Sequence, residues 1–354
     1  MAGGREMREY IEKLEREGIL SEEEFVNLLK NRSKEDEEYA AVRARTIADS
    51  VYGKDIYIRG LIEFTNVCKN NCYYCGIRRD NKDAERYRLS KEEILSCCKE
   101  GYELGFRTFV LQGGEDPYYD DARMVDLIAT IRSEYPDCAI TLSIGEKSYE
   151  SYEAFFQAGA ERYLLRHETA DDCHYGKLHP KEMCLSERKE CLFSLKEIGY
   201  QVGCGFMVGS PYQTERELAK DLLFIHELKP HMVGIGPFIP HQETPFAKEA
   251  QGTLEQTLFL LSLIRIMEKH VLLPATTALA TIDPRGREKG ILAGANVVMP
   301  NLSPKSVRKK YDLYDGKVCT GEEAAECRHC LEKRVESVGY KVSVSRGDYI
   351  YEKK

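Results

Sequence analysis

Residues 57–76 read YIRGLIEFTNVCKNNCYYCG. A β-rich run, Tyr57–Val67, ends in a polar loop that carries three cysteines. Further β-rich runs follow at Arg107–Gln112, Cys138–Ser143, Arg162–Leu165, Val202–Val208, Met232–Gly236, Leu273–Thr277 and Asn296–Met299. Helical patterns separate them, near 91–104, 121–133, 149–158, 186–198, 214–228, 253–269 and 284–293. Gly or Pro punctuates many of the joints. Strands alternating with helices imply parallel pairing through right-handed crossovers. Eight such units in about 250 residues fit an α/β fold, a complete (β/α)8 TIM barrel at residues 53–300. A doubly wound open sheet is the alternative, since periodicity does not separate the two. In a barrel, chemistry belongs at the C-terminal ends of the strands, which is where the cysteine loop falls.

Residues 1–52 read as a helical cap: Met7–Glu17, Glu22–Lys30 and Asp36–Val51 mix charged and apolar residues at spacings of three and four. Ser21 with Glu24 resembles a capping box. Residues 301–354 form a C-terminal extension of mixed helical and extended pattern.

The chain has 354 residues, 42% hydrophobic and 31% charged, with a net charge of −8. That apolar content supports a core and excludes a disordered tail. No run approaches the roughly 18 apolar residues of a membrane span, and the acidic balance argues against nucleic-acid binding. The opening MAGGREMREYIEKLEREG has no apolar signal core, so the expected compartment is the cytoplasm. Thirteen cysteines is an odd number in a long chain. A disulfide scaffold would be short and even-numbered, so the thiols are expected to stay reduced and to serve as ligands, catalytic groups or core.

Cys68, Cys72 and Cys75 are spaced C-x3-C-x2-C, with no fourth cysteine nearby. Three thiolates on one loop can hold three corners of a [4Fe–4S] cube and leave its fourth iron open to a small molecule. Structural zinc is the rival, but it wants four ligands, and the nearest histidine in sequence is His167. Buried structural thiols are the other rival; a stretch rich in Asn, Lys and Arg argues against a core strand. The second β-run ends in Gly113-Gly114-Glu115. Alone this is a common turn; after the next strand it faces the same end of the barrel. The fourth run continues into Arg166-His167-Glu168, and Arg188 opens a later helix. Buried charges of this kind need partners, and an internal ion pair competes with recognition of a carboxylate by arginine.

C-x3-C-x2-C with an aromatic residue before the last cysteine resembles the signature of radical S-adenosylmethionine (SAM) enzymes, and Gly113-Gly114-Glu115 resembles their GGE motif. The runs LLRHET (164–169), VGIGPFIPH (233–241), PATTA (274–278) and VVMPN (297–301), with the later cysteines, resemble the HydE family of [FeFe]-hydrogenase maturases over residues 35–350. The resemblance implies a [4Fe–4S] cluster on Cys68, Cys72 and Cys75 that reductively splits SAM. It implies SAM contacts from Gly113, Gly114, Glu115, Glu168, Arg188 and Met299. Thr141, Arg162, Arg166, Thr276, Thr277, Tyr311 and Tyr314 would line a substrate cavity, with His167 in support. It further implies a small organometallic (iron–carbonyl–cyanide) or cysteine-derived substrate, a ferredoxin or flavodoxin reductant, and partner maturases in assembly of the hydrogenase diiron subcluster.

Cys319, Cys327 and Cys330 are spaced C-x7-C-x2-C. The same resemblance implies a second, peripheral [4Fe–4S] or [2Fe–2S] cluster here; zinc with His329, or an empty site, are the alternatives. Cys97, Cys98, Cys138, Cys173, Cys184, Cys191 and Cys204 lack ligand spacing and are expected mostly as core, with Cys204 on a strand near the cavity. Two enzyme rivals are methylornithine synthase and biotin synthase. A non-catalytic iron–sulfur carrier is the rival of another class; it would need no SAM pocket.

Overall fold

The structure, a computed structural model, describes residues 2–318 and 328–351. The helical cap consists of α1 (Ala2–Glu17), α2 (Glu22–Asn31) and α3 (Lys34–Tyr52). Ser21 and Glu24 form a reciprocal capping box at the start of α2, and Ser33 with Asp36 repeats it for α3. Met7, Ile11 and Leu14 line one face of α1 and are fully buried. Their burial contributes about 1.5–3 kcal/mol each as an upper estimate, and it fastens the cap to helix 254–267.

Among the described residues, eleven short strands follow: β1 (Asp55–Ile58), β2 (Gly60–Thr65), β3 (Thr108–Gly113), β4 (Ala139–Ser143), β5 (Arg162–Leu164), β6 (Gln201–Cys204), β7 (Met207–Val208), β8 (Met232–Val233), β9 (Gly236–Pro237), β10 (Val297–Val298) and β11 (Lys341–Ser343). The main sheet runs β2-β3-β4-β5-β6-β8, and every pairing in it is parallel. Helices occupy the crossovers, at 91–103, 121–134, 149–158, 172–178, 185–198, 215–228 and 254–267. Ser90 with Glu93 and Thr214 with Glu217 cap two of them. The main-sheet strands are largely buried on both faces, as parallel strands are; all six residues of β2 are buried, Glu63 included. Smaller parallel sheets join β10-β1-β11 and β7-β9. Single parallel bridges link Met232 to Leu272, Pro274 to Val297 and Leu61 to Asn301.

Several expected strands are interrupted. Tyr57–Val67 divides into β1 and β2, and Val202–Val208 into β6 and β7. The second break falls at Gly205, where a Cβ would stand 1.9 Å from the Gly234 carbonyl oxygen. Leu273–Thr277 forms a single bridge, at Pro274, and Thr277 begins a helix to Ile282. The helix Asp172–Leu178 and strand β11 were not expected. Among the described residues, no helix is long and apolar enough to cross a membrane.

Candidate active site

The loop after β2 is shaped by its polar side chains. The Arg86 guanidinium donates to the carbonyls of Asn66 (2.6 Å), Ile77 (2.8 Å), Arg78 (2.6 Å) and Asn81 (3.1 Å). Asn66 Nδ2 donates to the Glu85 and Lys310 carbonyls, and Asn81 Nδ2 to the Gly76 carbonyl. The Asn71 amide pairs with Asp80. Cys68, Cys72 and Cys75 are thereby presented on one loop, all with free thiols. Burial pushes the Cys75 thiol up to about 12, with Cys68 adding to it. Burial and the two neighbouring thiols push Cys72 higher still. A cationic group held between them reverses that cost by favouring the thiolates.

The donor set fits a cluster better than one ion. Tetrahedral zinc with thiolates at about 2.3 Å brings its sulfurs to about 3.8 Å of one another. Among the described residues, the donors grouped in threes within 4.8 Å are His241, Asp312 and Asp315, not the cysteines. Three more widely spaced sulfurs suit the corners of an iron–sulfur cube.

Gly113 ends β3, and Gly114 follows it against this loop. A Cβ on Gly114 would meet the Val67 carbonyl oxygen at 2.3 Å and Cys68 Cβ at 2.8 Å. Glu115 follows, 6% exposed. Its Oε1 accepts from the Glu146 amide at 3.1 Å, and the left-handed Gly145 leaves room for the carboxylate. Its Oε2 accepts no hydrogen bond, although Lys69 Nζ lies 3.3 Å away.

Glu168 follows β5 at φ +65°, a strained conformation for a residue with a side chain. Its amide donates to the Gly205 carbonyl at 3.0 Å. Arg166 Nη2 stands 2.9 Å from Glu168 Oε2, but their geometry is not that of a hydrogen bond, and Arg166 Nε is also buried without a partner. His167 is buried between them. Its Nδ1 accepts from the Gly205 amide, so Nε2–H donates to Asp221 Oδ1 at 3.2 Å. Burial holds the imidazole neutral. Arg188, in the first turn of helix 185–198, donates to the Arg166 carbonyl at 2.9 Å and pairs with Glu146.

These groups line one cavity of about 340 Å3. Its walls hold the three cysteines, Gly113–Glu115, Arg166, Glu168, Arg188, Thr276, Thr277, Met299, Tyr311 and Tyr314. Thr141 and Arg162 are not among them. Arg162 begins β5, about 13 Å of strand before Arg166, and its guanidinium faces the opposite end. There it bonds Asp348 Oδ1 at 2.7 Å, the Arg346 carbonyl at 2.9 Å and Thr108 Oγ1 at 3.2 Å. Thr141 is its register partner on β4. Among the cavity residues not singled out from the sequence are Glu63 and Lys317, a buried ion pair. Neither belongs to a motif, and they meet across 254 residues of chain.

Cys319 and Cys327 lie outside the described residues. Cys330, in helix Arg328–Glu336, is disulfide-bonded, contrary to the expectation that all thiols are reduced. Cys97, Cys98, Cys138 and Cys204 pack in the core, Cys191 is half-buried, and Cys173 and Cys184 are exposed.

Comparison with known proteins places the chain among relatives of known family. The radical SAM superfamily profile matches residues 62–225. The [FeFe] hydrogenase maturase subunit HydE of Thermotoga maritima is 45% identical over 94% of this chain and 95% of its own length. A 3-methylornithine synthase of Methanosarcina acetivorans is 29% identical over 90% of this chain and 89% of its own. Among solved structures, methylornithine synthase (PylB) superimposes with a TM-score of 0.82 at 27% identity, covering 94% of this chain and 97% of that one. The hydrogenase maturase HydG reaches a TM-score of 0.79 at 22% identity, covering 96% and 76%, a likeness of fold.

Proposed function

The chain belongs to the radical SAM superfamily and, within it, to the family of the HydE maturases, and from that premise we propose that it cleaves SAM during assembly of the [FeFe]-hydrogenase active site. One observation carries the reading: the three free thiols after β2 and the Gly113–Glu115 turn after β3 wall the same cavity. When bound, a [4Fe–4S] cluster on Cys68, Cys72 and Cys75 supplies the electron for reductive cleavage of SAM to a reactive 5′-deoxyadenosyl species.

The chain's own groups bind and orient. Glu115 Oε2, without a hydrogen-bond donor, accepts from the SAM amine together with the Gly113 and Gly114 carbonyls. Glu168 faces the ribose or amine, Arg188 the carboxylate, and Met299 packs against the cofactor. Arg166, Thr276, Thr277, Tyr311 and Tyr314 orient an organometallic or cysteine-derived substrate below. The buried walls exclude water from the reactive species.

The strands close into a complete (β/α)8 barrel at 53–300, between the cap 1–52 and the extension 301–354. The bridges 232–272, 274–297 and 61–301 support closure, since they continue the main sheet from β8 back to β2. In the extension, Cys319, Cys327 and Cys330 hold an accessory cluster under reducing conditions. The protein works in the cytoplasm with a ferredoxin or flavodoxin reductant and partner maturases. Methylornithine synthesis is the competing reading, and the higher identity to HydE (45% against 29%) favours the maturase.

Anaerobically reconstituted protein given dithionite and SAM is expected to release 5′-deoxyadenosine or an adenosylated product. Absence of SAM turnover would favour a carrier. Omitting the protein from a hydrogenase maturation assay should leave the hydrogenase inactive; an active hydrogenase overturns the maturase assignment.

A further inference from the structure

Asp221 lies on helix 215–228, is fully buried and does not line the cavity. Burying a carboxyl in a helix interior is costly, and its hydrogen bonds must offset that cost. Those bonds all fall on one oxygen. Oδ1 accepts from His167 Nε2 at 3.2 Å and from the Ala170 amide at 2.6 Å, while Oδ2 is buried without a partner. The two donors bracket Glu168, the wall residue held at φ +65°. His167 carries the tie onward, because its Nδ1 accepts from the Gly205 amide at 3.4 Å. The Gly205 carbonyl in turn accepts from the Glu168 amide at 3.0 Å. Helix 215–228, the residue after β6 and the turn 167–170 thus close one hydrogen-bonded circuit around the strained residue.

We infer that Asp221 is a positioning residue for SAM binding, which acts by holding the Glu168 backbone in the conformation that aims its carboxylate at the cofactor. The inference rests on the radical-SAM reading, in which Glu168 meets the ribose or amine of SAM, and adds the group that sets it. A residue with a side chain keeps a positive φ only where its surroundings over-determine it. Releasing the bracket lets Glu168 relax toward an ordinary backbone conformation and carries its carboxylate off target, so that SAM binding must supply the ordering instead. Burial pushes the Asp221 carboxyl well above its ordinary range. An amide of the same shape therefore keeps the one acceptor in use, whereas a leucine of similar size removes it.

The test is calorimetric titration of the anaerobically reconstituted protein with SAM, without reductant, so that binding is read without turnover. Asp221→Leu is expected to weaken SAM binding at least about tenfold. Asp221→Asn should stay within about threefold of the native protein, since its hydrogen bonds survive. In a Glu168→Ala background, Asp221→Leu should change the affinity by less than about twofold, because the group it positions is gone. A general loss of packing would weaken binding equally in both backgrounds, and that result overturns the inference. So does native affinity in folded Asp221→Leu, or a tenfold loss in Asp221→Asn. Should circular dichroism show Asp221→Leu unfolded, His167→Phe breaks the same circuit from its other side and is read in the same two backgrounds, with the same expected and overturning results. A native protein that binds no SAM, or a Glu168→Ala variant that binds it as well as the native protein, overturns the radical-SAM reading of Glu168 and the inference with it. The other outcomes bear on Asp221 alone.

Discussion

Gly114 is the point where the two motif loops touch. A methyl group there would overlap the Val67 carbonyl and Cys68 Cβ, both backbone-fixed, so the cysteine loop must move to admit it. Gly114→Ala is expected to cost about 1–3 kcal/mol, read as a lowered melting temperature, and to reduce the iron retained after reconstitution. Cys72→Ala should abolish SAM cleavage and lower the iron content while leaving the fold, as measured by circular dichroism. At this scale the sequence was legible wherever chemistry is local. The cysteine spacing and the GGE turn each lie within a dozen residues, and the structure gathers them in one cavity. Arg86 and Asn66 were not legible, because their partners are carbonyls, which carry no side-chain identity.

Among the elements, the segment after helix Lys305–Arg308 acts as a strap across the site. The Leu313 carbonyl accepts from the Gly76 amide at 2.9 Å, and the Asp315 amide donates to the Pro240 carbonyl at 3.1 Å. His241 Nε2 meets Asp312 Oδ2 at 3.3 Å. The Asp312 carboxylate raises the His241 pKa above its ordinary 6.5, against the opposing effect of burial. A raised folded pKa stabilises fully below the unfolded value and is lost as pH rises through the folded value. Melting temperature should thus fall as pH climbs above about 6.5, and Asp312→Asn should flatten that fall. If the native profile is already flat there, the pair does not latch the strap. The fifth and seventh β-runs show why elements were only partly legible. Both read as continuous strands, yet close backbone approach at Gly205 breaks one, and the other yields to a helix at Thr277.

The whole molecule adds a contact that joins the two ends of the barrel region. Strand β11, near the C-terminus, pairs with β1 through Asp55, Ile56 and Tyr57. The tail beyond it brings Asp348 to Arg162. Burial opposes the Asp348 charge, but hydrogen bonds from Arg346 and Arg162 outweigh it and hold the carboxyl at about 2. A lowered folded pKa stabilises above the unfolded value near 4 and is lost as pH falls through about 2. Asp348→Asn should destabilise at neutral pH by about 1–3 kcal/mol, since it leaves the buried Arg162 without its counter-charge; Asp348 is itself 44% exposed, which places the cost at the low end. Denaturant unfolding at pH 7 checks this. An unchanged midpoint would show that the Arg346 carbonyl and the Thr108 hydroxyl suffice for Arg162.

The sequence by itself determined the alternating α/β pattern, the capped helices and the three-thiol loop. Each depends on residues close in sequence whose periodicity or spacing is the physical cause. Tertiary structure decided which end of a strand a charge serves. Arg162 and Arg166 are four residues apart and chemically alike, but one is pulled into a tail salt bridge and the other faces the cavity. It also decided the Glu63–Lys317 pair. Two charges separated by most of the chain become neighbours only when the last segment folds back over the barrel, and no local pattern encodes that encounter.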